Sequence, residues 1–440
     1  MRNEGAWNEE WVRARGRWRV VRARRQGRWW RVLWLVAGPG LLVMLGENDG
    51  PSMLSYAATG AQYGIGFFLP FVVLTFAMAF VAQEITVRLG AATQSGHAEL
   101  IYRRFGRFWG NFAMVDLMVT NFMTLVTEFV AMVAGSAYFG VPAPAAVAVG
   151  VAVVSAGLWL HRYWSWERLT LGLAVVNLVF IPIALLSHPD WGAVGRALVT
   201  FRPWPAGGAT STLTMILADI GATITPWMLF FQQGAVSDKG LGGAEIPWGR
   251  WDTALGATLA ALAALGCIVA TAPLHAHGMN ASAFSAAAFA QALLPWVGSV
   301  GSALFAIGII EAGVVAAATI SVSSAYAWGE VTGQAHSLNR SLREAPGFYA
   351  VLVGIAALAG SVVLIPHFPL ETVVILVNVV AVLTMPPAIG FLLLLANDAE
   401  VVGHHRSGRL WNGLGIGVGC FVALAGLVYA VTVVLPAVTR

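Results

Sequence analysis

Gly46-Glu47-Asn48-Asp49-Gly50-Pro51-Ser52 interrupts an apolar run that otherwise extends from about Val32 to Ala61. Two acids, an amide, a Gly-Pro pair and a hydroxyl do not suit the middle of a lipid-facing helix. Carboxylates at bilayer depth are costly and mark ion or substrate pathways. Gly50-Pro51 breaks the backbone hydrogen-bond ladder. Broken backbone at that depth survives only where protein buries it or where it lines a cavity. The stretch therefore reads as a helix unwound at a cation site. The alternative is a solvent-facing loop between two short helices, against which stands the apolar sequence on both sides.

A second break answers the first. Asp219-Ile220-Gly221-Ala222-Thr223-Ile224-Thr225-Pro226-Trp227 lies in the middle of the segment Leu213 to Ala235. Two interrupted hydrophobic segments in corresponding halves of a chain point to a binding site at the membrane midplane.

Composition sets the class. The chain has 440 residues, 58% hydrophobic and 10% charged, whereas soluble domains carry about a quarter charged residues. This is the make-up of a polytopic membrane protein. Both cysteines, Cys267 and Cys420, sit in apolar segments, so neither a disulfide framework nor a Cys-based metal site is expected. The net charge of +4 follows membrane topology rather than nucleic-acid binding.

Residues 1–31 form an Arg- and Trp-rich tail with Arg13, Arg15, Arg17, Arg19, Arg22, Arg24, Arg25, Arg28 and Arg31 among Trp7, Trp11, Trp18, Trp29 and Trp30. No short apolar core with a small-residue cleavage site is present, so the tail does not read as a secretory signal. It reads as a segment lying along anionic lipid, with Trp at the interface. Hydrophobic stretches of transmembrane length follow near 33–61, 66–89, 109–138, 143–160, 168–187, 212–236, 253–275, 296–327, 347–366, 371–396 and 411–436, eleven in all. Arg103, Arg104, Arg107, Arg162, Arg168, Lys239, Arg250, Arg340, Arg343, Arg406 and Arg409 fall on one side of this pattern; Arg196, Arg202 and Arg440 fall on the other. The bias predicts a cytoplasmic N-terminus and an outer C-terminus.

Ten of the eleven segments divide into two fives, each opening with an interrupted helix. Five is odd, so the second half enters the membrane from the opposite side, as in a LeuT-like 5+5 inverted repeat. The expected fold class is thus an all-α polytopic membrane protein of about eleven helices, with helices one and six unwound. The expected organisation is the tail, a first repeat over 32–187, an extracytoplasmic loop over 188–211, a second repeat over 212–396, and a loop with the eleventh helix over 397–440.

At the breaks, Asp49 offers a carboxylate, while Asn48, Ser52 and Thr225 offer neutral oxygens. Unwinding at Gly50 and at Gly221-Ala222 frees backbone carbonyls. These are hard donors, suited to Mg²⁺, Ca²⁺ or Mn²⁺. Glu47 and Asp219 add negative charge. Met44, Met53 and Met228 flank the breaks, and their thioethers would favour softer ions. Their offsets from Asp49 and Pro226 read as packing.

The first helix, from Gly38-Pro39-Gly40 through Asp49 to Gly60-Ala61-Gln62-Tyr63-Gly64, resembles the Nramp family of divalent metal transporters. That family has Asp-Pro-Gly-Asn where this chain has Asp49-Gly50-Pro51-Ser52. Gly221-Ala222-Thr223-Ile224-Thr225-Pro226-Trp227 is similar to its Gly-Ala-Thr-Val-Met-Pro-His. The likeness extends to Gln83-Glu84, Thr127-Glu128-Phe129 and Asn397-Asp398-Ala399-Glu400-Val401-Val402-Gly403. It spans most of the chain after the tail.

The departures carry information. Thr225 stands where the family has its metal-binding Met, Trp227 and Gln232 where it has His, and Ser52 where it has its Asn ligand. A hydroxyl in place of a thioether weakens discrimination for Mn²⁺ or Fe²⁺ over Mg²⁺ and Ca²⁺. The pattern resembles the Nramp-related magnesium transporter branch. That resemblance implies Mg²⁺ and Mn²⁺ passage as a partly hydrated ion, without strict proton coupling. Glu128, Asp219, Gln232, Glu311 and Asn378 are candidates for a proton path or for the surroundings of the metal. Glu311 has no family counterpart, and its alternative is pairing with a neighbouring helix. Gln83 and Glu84 read as structural, and His275 and His277 as interfacial.

The expected function is alternating-access transport of a divalent cation at the plasma membrane, with Asp49 as the principal ligand and Asn48, Glu47, Ser52, Ala222 and Thr225 around it. The partners are the transported ion and the bilayer, with no nucleic acid and no resident cofactor. Two alternatives stay open: a proton-coupled Mn²⁺/Fe²⁺ importer, and an organic-substrate symporter of the same fold. The second would place an anionic group opposite Asp49 and incur repulsion. No nucleophile–base set or phosphate loop suggests an enzyme.

Overall fold

The Gly38 turn shows how this sequence makes its helices. Gly38 adopts φ 148°, a left-handed conformation that glycine tolerates best. Pro39 then opens the next helix at a position where its missing N–H costs nothing. In the computed structural model, which describes residues 18–434 apart from 19, 24, 161, 207, 278–285 and 367–369, this gives α1 (Trp29–Val36) and α2 (Pro39–Glu47). Asn48 and Asp49 are not helical, and α3 (Gly50–Tyr63) follows. Much of the tail reading rests on Trp7, Trp11, Arg13, Arg15, Arg17, Arg19 and Arg24, which lie outside the described residues, as does Arg440.

The chain continues with α4 (Phe68–Thr93), α5 (His97–Phe105), α6 (Arg107–Ala137), α7 (Ala143–Val154) and α8 (Gly157–Leu160). Next come α9 (Tyr163–Ala174), a 3₁₀ stretch (Val175–Val179), α10 (Phe180–Leu186) and α11 (Trp191–Thr200). The second half holds α12 (Ala209–Gly221), α13 (Pro226–Lys239), α14 (Ile246–Thr271), α15 (Ala286–Thr332), α16 (Pro346–Val363) and α17 (Leu370–Asn397). The chain then runs through α18 (Ala399–Val402) to α19 (Arg409–Tyr429). The described residues form an almost wholly helical, multi-pass membrane protein.

Nine helical spans among the described residues are long and apolar enough to cross a membrane. Two of the eleven expected segments fall short of that length for visible reasons. The first is cut in two at Asn48-Asp49, and the fourth stops at Val154 before a short continuation.

Three features differ from the hydropathy reading. The 188–211 stretch, expected as a loop, contains α11. Asp190 accepts hydrogen bonds from Gly192 and Ala193 N–H at 2.8 and 3.1 Å, which caps the helix, and Val194 and Ala197 bury its inner face. The eighth segment begins earlier than expected, because α15 runs through a kink at Gly298 (φ 69°) beside Pro295. Lys239, expected as a marker of a loop, is fully buried.

Small residues let the helices approach. At Gly313 a Cβ would sit 2.8 Å from the Glu128 carbonyl, which brings α15 against α6 in the manner of membrane helix packing. Glu84 receives Arg88 and Arg250, each at 2.5 Å, in keeping with a structural role. Beyond the tenth span, Asp398 accepts from the Glu400 N–H at 2.9 Å and meets Arg104 at 2.5 Å. The Glu400 N–H, and then Arg104, hold its carboxyl below the usual range. The stability this gives is present above the unfolded carboxylate's pKa and is lost as pH falls through the lowered value.

The Arg-bearing end of the first helix is held by a buried polar cluster. Asp252 of α14 accepts from the Gly38 and Gly40 N–H groups at 3.0 and 2.6 Å. Lys239 donates to the Ala37 carbonyl at 2.6 Å and to Glu167 at 2.8 Å. Tyr163 adds a hydrogen bond to Glu167 at 2.9 Å. Removing one member of a buried pair strands the other charge. Lys239→Met should therefore destabilise the protein by about 3–5 kcal/mol, and adding Glu167→Gln should recover part of the loss. Thermal melting of the purified variants in detergent, followed by size-exclusion chromatography, checks this: the double variant melts above the single one.

Candidate cation site at the two helix breaks

Each break exists because its sequence cannot continue a helix. Pro51 and Pro226 both occupy the first turn of a new helix, where their lack of an N–H is harmless. The first break falls at Asn48-Asp49, one residue before Gly50, which is already helical; the second spans Ala222–Thr225. Asp49 caps α3 by accepting from the Ser52 N–H at 2.8 Å, so its other oxygen is not used in the cap.

The two broken helices lie side by side and antiparallel. Thr225 donates its hydroxyl proton to Glu47, with oxygens at 2.8 and 2.9 Å. Tyr56 donates to the Ala222 carbonyl at 3.1 Å. Thr59 donates to Asp219, with both carboxylate oxygens at 3.1 Å. Going forward along the first helix means going backward along the sixth, which is the relation an inverted repeat imposes. A Cβ at Gly221 would collide with the Asn378 carbonyl, so glycine is what allows α17 to close over the second break.

The other expected residues fall around this centre in different ways. Glu128 of α6 accepts from the Gly50 N–H at 3.0 Å and lies against Asp49. Asn48 turns away from the sixth helix. Its amide donates to Asn177 at 2.9 Å and to the Ala260 carbonyl at 2.8 Å, and Asn177 donates back to the Asn48 carbonyl at 3.1 Å. Asn378 donates to Ser55 at 3.0 Å and so joins α17 to α3, one turn beyond Ser52. Gln232 lies further along α13 and donates to Thr253 at 2.9 Å. Glu311 lies within hydrogen-bonding reach of Asn177. Met44, Met53 and Met228 are buried in the apolar core, as expected of packing residues.

What remains open to a ligand is specific. The Ser52 hydroxyl and one Glu128 oxygen are buried with no hydrogen-bond partner. The Ala222 carbonyl keeps a second lone pair beyond its bond to Tyr56, and Thr225, as a donor to Glu47, keeps both of its own. Among the described residues, no three Asp, Glu, His or Cys side chains converge to hold a metal. A cation here would meet one principal carboxylate, Asp49, and neutral oxygens. That donor set fits a hard divalent ion retaining part of its water.

Comparison with known proteins follows from this geometry. Residues 40–432 match the model of the Nramp family, described as natural resistance-associated macrophage protein-like. The chain belongs to the Nramp family. Among its relatives is the divalent metal cation transporter MntH of Ralstonia nicotianae, 29% identical over 298 residues, covering 64% of this chain and 66% of that protein. The chain thus spans slightly under two thirds of that relative. The protein of the same name from Verminephrobacter eiseniae is 22% identical over 84% of this chain and 83% of its own length. A crystal structure of the Eremococcus coleocola manganese transporter, in complex with an aromatic bis-isothiourea substituted compound, superposes with a TM-score of 0.75 at 22% identity, covering 91% of this chain and 87% of that one. MhsT in complex with L-phenylalanine gives 0.57 at 14% identity, over 89% and 97%. The LeuT-like fold of an Nramp protein is thereby established.

Sequence reasoning missed Asn177, Tyr56 and Thr59, which bind the breaks together. The signal was present for Asn177, a lone amide within the apolar run 171–186. The hydroxyls carried none, since Thr and Tyr are common in membrane helices. Thr225→Val removes the donor to Glu47 and leaves a buried carboxylate without its partner, at a cost of about 1–3 kcal/mol. The expected result is a lower melting temperature in detergent for Thr225→Val and wild-type behaviour for Thr225→Ser.

Proposed function

We propose that this Nramp protein is a secondary transporter that moves divalent metal cations, Mg²⁺ or Mn²⁺, by alternating access and without strict proton coupling. The observation that carries the reading is the meeting of the two helix breaks, with Asp49 as carboxylate and hydroxyl and carbonyl oxygens opposite it. Thr225 supplies a hard oxygen at the position where a thioether would select softer ions. The ion is cargo, so the site must bind it without holding it fast; one carboxylate and neutral oxygens suit a partly hydrated ion that leaves again. The relatives named as divalent metal cation transporters point the same way. The Arg-bearing ends of the helices face the cytoplasm of a bacterial-type plasma membrane, with the N-terminus inside and the C-terminus outside.

Alternating access fits the same arrangement. Helices α3 and α13 point their N-termini, and α2 and α12 their C-termini, at one central region. Rocking of one repeat against the other would open that region to one side at a time. A second reading, a proton-coupled Mn²⁺ importer, draws on Glu128, whose free oxygen lies beside Asp49 and offers a place for a proton. An amino-acid symporter is disfavoured, because Asp49 would oppose a substrate carboxylate.

Uptake of Mg²⁺ and Mn²⁺ into proteoliposomes, with internal pH recorded alongside, decides among these. Mg²⁺ entry without acidification is the expected outcome. Mn²⁺ entry with acidification and no Mg²⁺ entry would install the proton-coupled reading instead. No flux of either ion would favour an organic substrate. Asp49→Ala should abolish uptake of both ions, and normal transport by that variant would refute the site. Thr225→Met should raise the Mn²⁺ to Mg²⁺ uptake ratio in the same assay.

A further inference from the structure

The segment leading into α1 forms a feature that the cation site does not use. Residues 20–23 are helical, and the chain turns at Gly27 (φ 65°) before α1 begins. The Arg28 N–H donates to the Ala23 carbonyl at 3.1 Å, the closure of a helix that ends on a left-handed glycine. Val20 and Ala23 are buried. They pack in one apolar cluster with Val36 of α1, Ala91 of α4, Val236 of α13 and Ile246 of α14. This anchoring turns the polar side of the segment outward and gives it a shape. Trp18, Arg22, Gln26, Arg28, Arg31 and Trp34 line an open pocket of about 720 Å³. Arg22 lies over the Trp18 ring and Arg31 over the Trp30 ring, each 5.1 Å from the ring centre. Stacking of this kind orients a guanidinium while leaving its charge uncompensated.

We propose that this pocket binds the phosphate headgroup of one anionic phospholipid, in the leaflet where the first span enters the bilayer.

The charge inventory calls for an anion. Arg22, Arg28 and Arg31 are exposed, and none takes part in an ion pair among the described residues. Arg103 and Arg104, by contrast, meet Glu99 and Asp398. No Asp or Glu is among the described residues that line the pocket. Guanidinium N–H groups match phosphate oxygens in pairs. The apolar part of the pocket decides where the phosphate comes from. Trp18, Trp30 and Trp34 are 57%, 56% and 70% exposed. A soluble phosphate would leave these rings bare, whereas a lipid covers them with its glycerol and first acyl carbons, at the depth where Trp settles in membrane proteins. Together α1 and α2 make the bent start of the first span. The arginines therefore sit at headgroup level, where basic clusters beside a membrane helix recruit anionic lipid.

The position gives the site a consequence. The segment that carries Arg22 and Arg28 is packed on the ends of α4, α13 and α14, and Arg31 belongs to α1, which leads into the first broken helix. A lipid held by all three arginines fastens these elements to one another.

The test is native mass spectrometry of the purified full-length protein in detergent, titrated with phosphatidylglycerol and, separately, with phosphatidylcholine. It reads lipid binding alone, so its outcome is independent of what the protein transports. The first phosphatidylglycerol should bind at least about tenfold more tightly than phosphatidylcholine. Arg31→Gln should weaken that binding by about fivefold or more and leave phosphatidylcholine unaffected. Arg25→Gln removes an exposed arginine of the same segment that does not line the pocket, and should stay within about twofold of the wild type. Monodisperse elution on size exclusion verifies folding; if Arg31→Gln fails to fold, Arg22→Gln gives the same readout. Equal affinity for the two lipids in the wild type overturns the proposal. So does an equal loss in Arg25→Gln, which would mean diffuse attraction to charge in place of a pocket. Displacement of the bound lipid by millimolar inorganic phosphate also overturns it, by making a soluble anion the occupant.

Discussion

Backbone polar groups inside a bilayer have no water to turn to, and each one left unpaired costs several kcal/mol. The two broken helices create a set of such groups at the centre of this protein, and the surrounding structure answers them. Asp49 caps α3, Glu128 takes the Gly50 N–H, Asn177 takes the carbonyl and amide of Asn48, and Tyr56 takes the Ala222 carbonyl. The breaks are therefore held open by the side chains of Asp49, Glu128, Asn177 and Tyr56 rather than by flexibility. Pre-organised oxygens are what remain once this satisfaction is complete, and they are what a cation would use.

The same constraint explains the outer frame. The start of the first helix is tied by Asp252, Lys239 and Glu167, and the alternating access proposed above would require this tie to open. These groups are buried and mutually satisfied, and their bonds to the Gly38 turn are made with backbone N–H and C=O groups. A polar tie of this sort can separate into water-filled space at modest net cost, because its members regain hydration. An apolar contact of equal area would offer no such exchange. The buried pair thus suits a joint that has to be definite when closed.

Acidic side chains outnumber basic ones in the core, and this shapes what the site admits. Carboxyl groups gather around the first break from Glu47, Asp49 and Glu128, while the basic residues lie toward the ends of the spans. In the proposed site, hydroxyl and carbonyl oxygens around a single carboxylate would favour a hard ion, and the methionines are buried in packing.

The class, the two breaks and the family were legible in the chain before any contact was known. Each of these is a local property: hydropathy over the width of a bilayer, a proline that cannot continue a ladder, a motif in fixed register. Asp49 and Thr225 were legible for the same reason, since polar groups beside Pro51 and Pro226 cannot be explained by packing. Which groups meet was settled by packing between distant segments. Glu47 could have faced any neighbour, and it is Thr225, 178 residues away, that donates to it. Lys239 read as a loop charge because sequence shows a cation near a helix end and not the Glu167 that buries it. Glu311 read as a candidate for a proton path or for pairing with a neighbouring helix, Asn177 was missed, and the two became a pair only when α15 packed onto the fifth span. The local code fixes where a helix must break; which side chains answer the break depends on contacts between distant segments, and those are set by how whole helices fit together.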